Sequence, residues 1–490
     1  MKLIALFLLV LVSAAITVSA SDPFGWVFGC GLFGVGAGLV IGWAAIVRRL
    51  IRSRGAFGRA LGYLLATATG VALLVIAVGW GDYRRIAFRR ADAGAWAADI
   101  KTLLTDVERL PPGLAATARR TMAPELIGLE RDLDALNDDQ RQARLTRAIA
   151  SLRDGHSMAF PYFPSTSFSL VPLQLRWFSD GLFITAAPAS RRQLVGQRVV
   201  RIAGLPVEEA LNAVRPYVAA DNDTAIRTRS TYYMLSPRFW SAIGHPTDPD
   251  RLQFGLQSSG QEHIAELSTV SRWRYLWWVF EPRRWIRPPR LSPNAAPSFE
   301  WRRDNFWITP MPERGAVYVA LRAVQPNGKE TLTAFATRIL TTARSSGAQR
   351  IVIDVRENGG GDNTLFRGMI KTLRESEFNV KGRLMLLIGG GTFSAATNFV
   401  SAMERDTAVT LVGEPTGSGP NHFGDSQPTR LPRTGIMVFL STRYHQFGAA
   451  DDDRVAHDPE VTVTTSAADY FAGRDPVLEA ALGYQPSRGR

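Results

Sequence analysis

Twice in its C-terminal half the chain runs from a short apolar stretch through clustered glycines into a helical pattern. RIVIDV at 350–355 leads into ENGGGDN at 357–363 and then LFRGMIKTLRES; LMLLI at 384–388 leads into Gly389, Gly390 and Gly391 and a helical pattern that opens near Ser394. Unbroken apolar runs of this length suit strands buried on both faces. Further strand-like runs at 316–321 and 409–412 and a helix over 331–345 extend the alternation. The pattern predicts an α/β region with a mostly parallel sheet. In such a sheet ligands bind outside the carboxyl ends of the strands, where both glycine turns lie.

Ser394 therefore stands at a strand-to-helix turn, and two readings are open. It can be an ordinary N-cap, its hydroxyl accepting from the first turn of the helix. It can also be a nucleophile, because the first N–H groups of a helix lack intrahelical acceptors and can face an oxyanion. Consecutive glycines can add inward-facing N–H groups, so Gly359 and Gly360 with Ala395 are the candidate oxyanion donors. A nucleotide-binding reading of these glycines fails on the residues: neither turn forms a GxGxxG, and neither runs directly into a lysine followed by serine or threonine.

The N-terminus reads differently. Residues 3–20 are almost wholly apolar, and Val18, Ser19 and Ala20 fit a signal-peptidase site, although an uncleaved span fits as well. Apolar segments at 24–47 and 60–80 are each long enough to cross a bilayer of about 30 Å as a helix. Arg48, Arg49, Arg52, Arg54 and Arg59 lie between them and mark a cytoplasmic loop, which puts the later chain outside the cytoplasm, periplasmic or at the cell surface. Arg84, Arg85, Arg89 and Arg90 argue for the inverse topology. The net charge of +13 is carried mainly by scattered arginines, without a basic helix or reader motif, so no nucleic-acid partner is expected. The single cysteine, Cys30, rules out an intramolecular disulfide and a cysteine-based zinc site. No metal and no cofactor is expected.

Four regions follow: a membrane region at 1–81, a helical segment at 82–155, a β-rich region at 156–299 and an α/β core at 300–485. The helical segment ends in Arg153-Asp154-Gly155-His156, where a histidine at the exit of a helix and the entry of a strand can be held tightly, as a general base must be. Within the β-rich region, LVGQRVVRIAGLPVEEAL resembles the second half of a PDZ-like module. Residues 272–307 are dense in tryptophan and arginine; without an amphipathic period they read as a proline-broken loop covering the core or lining a groove, and an interfacial membrane belt is the alternative.

The order DVRENGGG (354–361), GGGTFSAATNF (389–399) and TLVGEPTG (410–417) resembles the tail-specific, or C-terminal processing, serine peptidases. The likeness is specific over 316–482 and looser back to the helical segment. It implies a crotonase-like spiral of ββα units and places the family's nucleophile at Ser394. One branch of the family uses a lysine in a GExTxGKG setting, where this chain has GEPTGSGP at 413–420, with Gly419 in the lysine's place; no lysine follows Ser394. The tricorn-like branch uses a histidine from the N-terminal side, and His156 matches it. His422 in PNHFGD is the rival base, and Asp452, in the triplet 451–453, is the matching acid, with a solvated turn as the other reading of that triplet. The tricorn-like branch carries a serine where Gly155 stands. The resemblance implies a serine endopeptidase acting on polypeptides or oligopeptides by a Ser-His mechanism, and the apolar spans, which lie outside the resemblance, imply that it is membrane-anchored. The alternative is a non-catalytic member of the same fold that binds a peptide or a hydrophobic ligand.

Overall fold

The computed structural model describes Gly55 and residues 91–159, 169–258, 260–270, 275, 285–286, 295–300 and 302–486. The chain divides into two compact units, Met1–Arg90 and Ala91–Arg490, and the elements named here belong to the second. The three expected apolar spans, the arginine clusters beside them and most of the tryptophan and arginine stretch lie outside the described residues. Among the described residues no helix is long and apolar enough to cross a membrane.

The second unit opens with helices α1 (Ala93–Asp106), α2 (Pro112–Arg120), α3 (Met122–Asp132) and α4 (Asp138–Ala150). Their starts follow from local chemistry. Asp92 accepts from the Ala95 N–H at 2.8 Å, Pro112 occupies the first turn of α2, and Asn137 and Gln140 form a reciprocal capping box ahead of α4. Trp96, Ile100, Leu103, Leu126, Leu129, Leu145 and Ile149 share one core. After α4 the chain turns into β1 (Met158–Ala159).

Strands β2 (Gln174–Phe178), β3 (Gly181–Pro188), β4 (Arg198–Ile202) and β5 (Leu205–Pro206) follow, then helices α5 (Val207–Val214), α6 (Asp223–Tyr233) and α7 (Pro237–Ala242). Strands β6 (Arg251–Ser258), β7 (Gln261–Ser268) and β8 (Trp285–Ile286) complete a seven-stranded sheet in the order β2-β3-β4-β6-β7, with β5 on β4 and β8 on β3. Val199, Ile202, Leu211, Trp240 and Phe254 lie in the core that joins sheet and helices.

The α/β core comprises β9 (Phe306–Met311), β10 (Ala316–Leu321), α8 (Leu332–Ser345), β11 (Arg350–Asp354), α9 (Arg367–Arg374), β12 (Leu384–Ile388), α10 (Ala395–Asp406) and β13 (Thr410–Gly413). With β18 (Val461–Thr462) these strands form a six-stranded sheet in the order β18-β13-β12-β11-β10-β9, parallel except for β9 against β10. Ile351 and Ile353 pack with Phe335 of α8, Met369 of α9 and Phe399 of α10, whereas Val352, Met385 and Leu387 face Val477, Leu478 and Ala481 of the C-terminal helix (Pro476–Gly483). Both faces are covered, which is why these runs are unbroken in the sequence. Each fully buried aliphatic side chain in β12 contributes about 1.5–3 kcal/mol.

Between β13 and β18 lie four short strands: β14 (Asn421–Gly424), β15 (Gln427–Arg430), β16 (Met437–Leu440) and β17 (Arg443–Gln446). β14 pairs with β17 and β15 with β16, and the other edge of β16 takes β1, with Met158 opposite Phe439. Asp99 of α1 reinforces this join, accepting from Thr434 N and Oγ1 at 2.7 Å each and from Arg433 N at 3.1 Å. The segment just after the helical bundle is thus stitched to the far end of the chain. That join brings His156 to the α/β core.

Candidate active site

The residue at the N-cap position of α10 is Ser394, but its side chain makes no capping hydrogen bond, and its backbone lies at φ +58°, ψ −128°. A non-glycine residue in that region carries about 1–3 kcal/mol of strain, held only because the surroundings over-determine it. The surroundings are the two glycine turns. Phe393 N–H donates to Asn358 O at 3.1 Å, Thr392 Oγ1 donates to Val355 O at 2.9 Å, and Asn358 Nδ2 donates to Leu321 O at 3.0 Å. A Cβ on Gly360 would lie 2.8 Å from Ser394 Cβ and 3.0 Å from Ala395 N, and Gly360 has φ +115°. Only glycine lets the two turns approach this closely.

The candidate oxyanion donors divide. Gly360 N–H is already donated to Asn358 Oδ1 at 2.9 Å. Gly359 is exposed, and the Ala395 N–H is the first of α10; among the described residues neither amide has an acceptor. Gly359 and Ala395 therefore keep the geometry-independent requirement of a donor, an unspent N–H, and Gly360 does not.

His156 sits in the turn after α4, 9% exposed. Its N–H donates to Asp154 Oδ1 at 3.0 Å, Ser157 Oγ donates to Asp154 Oδ2 at 2.5 Å, and Gly155 N–H donates to Asp221 Oδ1 at 2.7 Å. Arg229 of α6 donates to Gly155 O at 2.8 Å and lies 4.2 Å over the ring of Phe393. Phe393, the neighbour of Ser394, stacks on His156 with ring centroids 4.2 Å apart. The structure thus places His156 against the turn that carries Ser394. Neither ring nitrogen hydrogen-bonds to a side chain among the described residues; the polar group that reaches the ring is the Phe423 backbone. Burial, followed by the positive charge available to His422, Arg229 and His445, holds the imidazole well below the usual histidine range; the nearby Phe423 backbone opposes this. The ring is neutral at neutral pH and able to accept a proton.

His422 lies beside it, with ring centroids 5.6 Å apart and planes within 4°. Its Nδ1 donates to Gly419 O at 3.0 Å, and burial pushes its titration down to about 4. His445 of β17 stands opposite His422 in the β14–β17 pair, and its Nε2 faces Asp425 Oδ1 at 3.3 Å. These rings are stacked or tilted against one another rather than aimed at a common point. Among the described residues no group of three or more histidines, cysteines or carboxylates could hold a metal ion.

Asp452 is placed elsewhere. Its carboxylate takes Arg454 Nε at 3.0 Å and Nη2 at 2.8 Å, and this guanidinium holds it below the usual carboxylate range. The structure does not bring it to His156, whose nearest carboxylate oxygen in an ion-pair sense is Asp154 Oδ1, 4.0 Å from Nδ1. Arg454 also reaches Glu404 at 3.6 Å, Glu404 Oε2 is 2.6 Å from His457 Nδ1, and His457 Nε2 is 2.9 Å from Ser401 Oγ. Ser401, His457 and Glu404 thus have the connectivity of a serine–histidine–acid relay. Ser401 is 4% exposed and His457 0%, so a polypeptide cannot reach them. The sequence reading passed over Phe393, Asn358, His445 and His457. Asn358 was open to it, standing beside the glycines; the others depend on pairings between distant segments.

Fold and site together define a mixed α/β unit that presents a strained serine at a helix start, between two glycine turns and beside a buried histidine. No protein-family model and no curated protein sequence matches the chain. Solved structures do. A crystal structure of a serine-to-alanine mutant of CPAF superposes with a TM-score of 0.57 at 13% identity, covering 80% of this chain and 98% of that one. Mature CPAF complexed with lactacystin gives 0.55 at 14% identity, covering 79% and 97%. The photosystem II D1 C-terminal processing protease aligns at 0.34 and 14% identity, over 69% of this chain and 86% of that one. At these identities the likeness to CPAF shows the fold.

Proposed function

We propose that this chain is a serine endopeptidase that hydrolyses peptide bonds of polypeptides or oligopeptides, with Ser394 as nucleophile and His156 as general base. The observation that carries the reading is the backbone of Ser394: a serine held at φ +58° at a helix start, with its hydroxyl not spent on capping, is costly for a residue with only a structural role. In the proposed reaction His156 takes the proton from Ser394 Oγ as it attacks the scissile carbonyl. The oxyanion faces the Ala395 and Gly359 N–H groups, each such donor lowering the barrier by about 3–4 kcal/mol. The imidazolium then protonates the leaving amine, and water, deprotonated by the same ring, releases the acyl group. The fold of the unit as a crotonase-like spiral with a PDZ-like module, and its tethering by the apolar N-terminal segments with the catalytic unit outside the cytoplasm, belong to the same proposal.

One observation favours the second reading, a non-catalytic binder of a peptide or hydrophobic ligand: no carboxylate hydrogen-bonds to the His156 ring. A fluorophosphonate probe on the full-length protein separates the two. The peptidase reading expects covalent labelling that disappears in Ser394→Ala and falls steeply in His156→Ala. A folded wild-type protein that takes no label supports the binder, and labelling that survives Ser394→Ala removes the proposed nucleophile.

A further inference from the structure

A catalytic imidazole is usually held by a carboxylate that accepts its Nδ1–H and so fixes tautomer and plane. Among the described residues no carboxylate hydrogen-bonds to the His156 ring. Asp154 accepts the His156 backbone N–H and the Ser157 hydroxyl, Asp221 Oδ1 accepts the Gly155 N–H, and Asp452 holds Arg454. The ring is held on its faces instead. Phe393 stacks on it at 4.2 Å and 26°, and His422 at 5.6 Å and 4°. His422 is itself locked on β14, through Gly419 O at 3.0 Å and through His445, whose ring is 5.7 Å away and whose Nε2 and Nδ1 face Asp425 at 3.3 Å and Asn363 at 3.4 Å. Gly424 makes room for this packing: a Cβ there would lie 2.9 Å from His445 Cδ2 and 3.8 Å from His156 Cε1.

We infer that His422 is a positioning residue for His156, its anchored ring holding the plane of the base by stacking in the role that a hydrogen-bonding carboxylate fills elsewhere. The inference rests on the Ser394–His156 reading. Stacking fixes the plane of the ring where no side chain hydrogen-bonds to either nitrogen among the described residues. It also has an electrostatic consequence. The charged or titratable groups acting on His156 are Asp154 in its own turn, Arg229 from α6, and His422 and His445 from β14 and β17, with Asp221 held to the adjoining Gly155 N–H. Replacing His422 by a ring that cannot be protonated removes one potential positive neighbour. The affinity of His156 for a proton then rises.

The test uses full-length protein, the rate of fluorophosphonate labelling and the cleavage of fluorescently labelled casein across pH, with thermal melting as a control for folding. His422→Ala is expected to slow labelling about tenfold through a misplaced base. His422→Phe is expected to recover most of that loss, because the stack returns, and to move the acid limb of kcat/KM to higher pH than in wild type. The inference is overturned if the phenylalanine variant is as slow as the alanine variant while folded, since the nitrogens of His422 would then be what is needed. It is also overturned if both variants match wild type in rate and pH profile. A wild type that takes no label overturns the Ser394 reading itself, which separates that failure from the others.

Discussion

Helix α10 carries two serines with a histidine nearby, and they are opposites. Ser401 has its full set of partners: His457 at 2.9 Å, then Glu404 at 2.6 Å, then Arg454 and Asp452, all in a part of the core where Ser401 and His457 are almost or wholly buried. Ser394 is half-buried and strained and makes no capping bond, beside a histidine whose ring takes no side-chain hydrogen bond among the described residues. A relay that looks catalytic by connectivity is closed to substrate, whereas Ser394 is partly exposed beside a buried histidine. Satisfied polar networks contribute stability and rigidity; reactivity requires groups held in place by packing while their own valences stay unspent.

The largest expected effect tests that contrast directly. Ser394→Ala should remove fluorophosphonate labelling and lower peptide cleavage by about 10³-fold or more. Ser401→Ala should keep the label and lower unfolding free energy by about 1–2 kcal/mol, because a buried His457 nitrogen loses its partner. Chemical denaturation and labelling on the same samples decide it; a folded Ser401→Ala protein that no longer labels would exchange the roles of the two serines.

Next in size is the glycine that lets the turns meet. Gly360→Ala puts a Cβ 2.8 Å from Ser394 Cβ at a φ of +115°, where an L side chain is strained in any case. Ser394 has to move, and for the proposed nucleophile a displacement near 1 Å costs about 100-fold in rate. Measuring kcat and KM separately checks this, with kcat expected to carry the loss.

What could be read from the chain beforehand follows the range of the physics. The parallel strands at 316–321, 350–354 and 384–388 announce themselves because both faces are buried, so the local composition carries the whole signal. The helical stretch before His156 is equally local. The strands at 421–446 are each four residues long and, apart from the apolar Met437–Leu440, polar or mixed, and one of them pairs with β1 far back in the chain, so local composition marks them weakly. The same limit applies at the site. Ser394 and the glycine turns are legible as a motif, whereas the Phe393–His156–His422 stack exists only once β1 and β16 have paired. Asp452 shows the converse: its partner Arg454 is two residues away in sequence, a local competitor that family-based placement overlooks.

The pH dependence of activity sharpens the contrast further. Burial, His422, Arg229 and His445 lower the His156 pKa well below 6.5, so the neutral, proton-accepting ring persists below that pH. The plateau of kcat/KM should extend below pH 6.5, with its acid limb displaced downward, as read from initial rates at constant ionic strength. An acid limb at or above 6.5 would mean that a different group acts as base.

The smallest effect concerns the closed relay. Burial alone would raise the Glu404 pKa, but the hydrogen bond and charge of His457 and the Arg454 guanidinium outweigh it, and the carboxyl sits below its ordinary 4.5. A depressed folded-state value means that the ionised carboxylate is better accommodated in the folded protein than in the unfolded chain. The stabilisation is therefore fully present above pH 4.5 and is lost as the pH falls through the lowered folded value. Glu404→Gln should remove that slope from a plot of unfolding free energy against pH and lower stability at neutral pH by about 1 kcal/mol, while labelling at Ser394 continues. Ser394 and Ser401 share one helix, so a Glu404→Gln protein that melts normally yet labels slowly would show that the closed relay also sets the position of the open one.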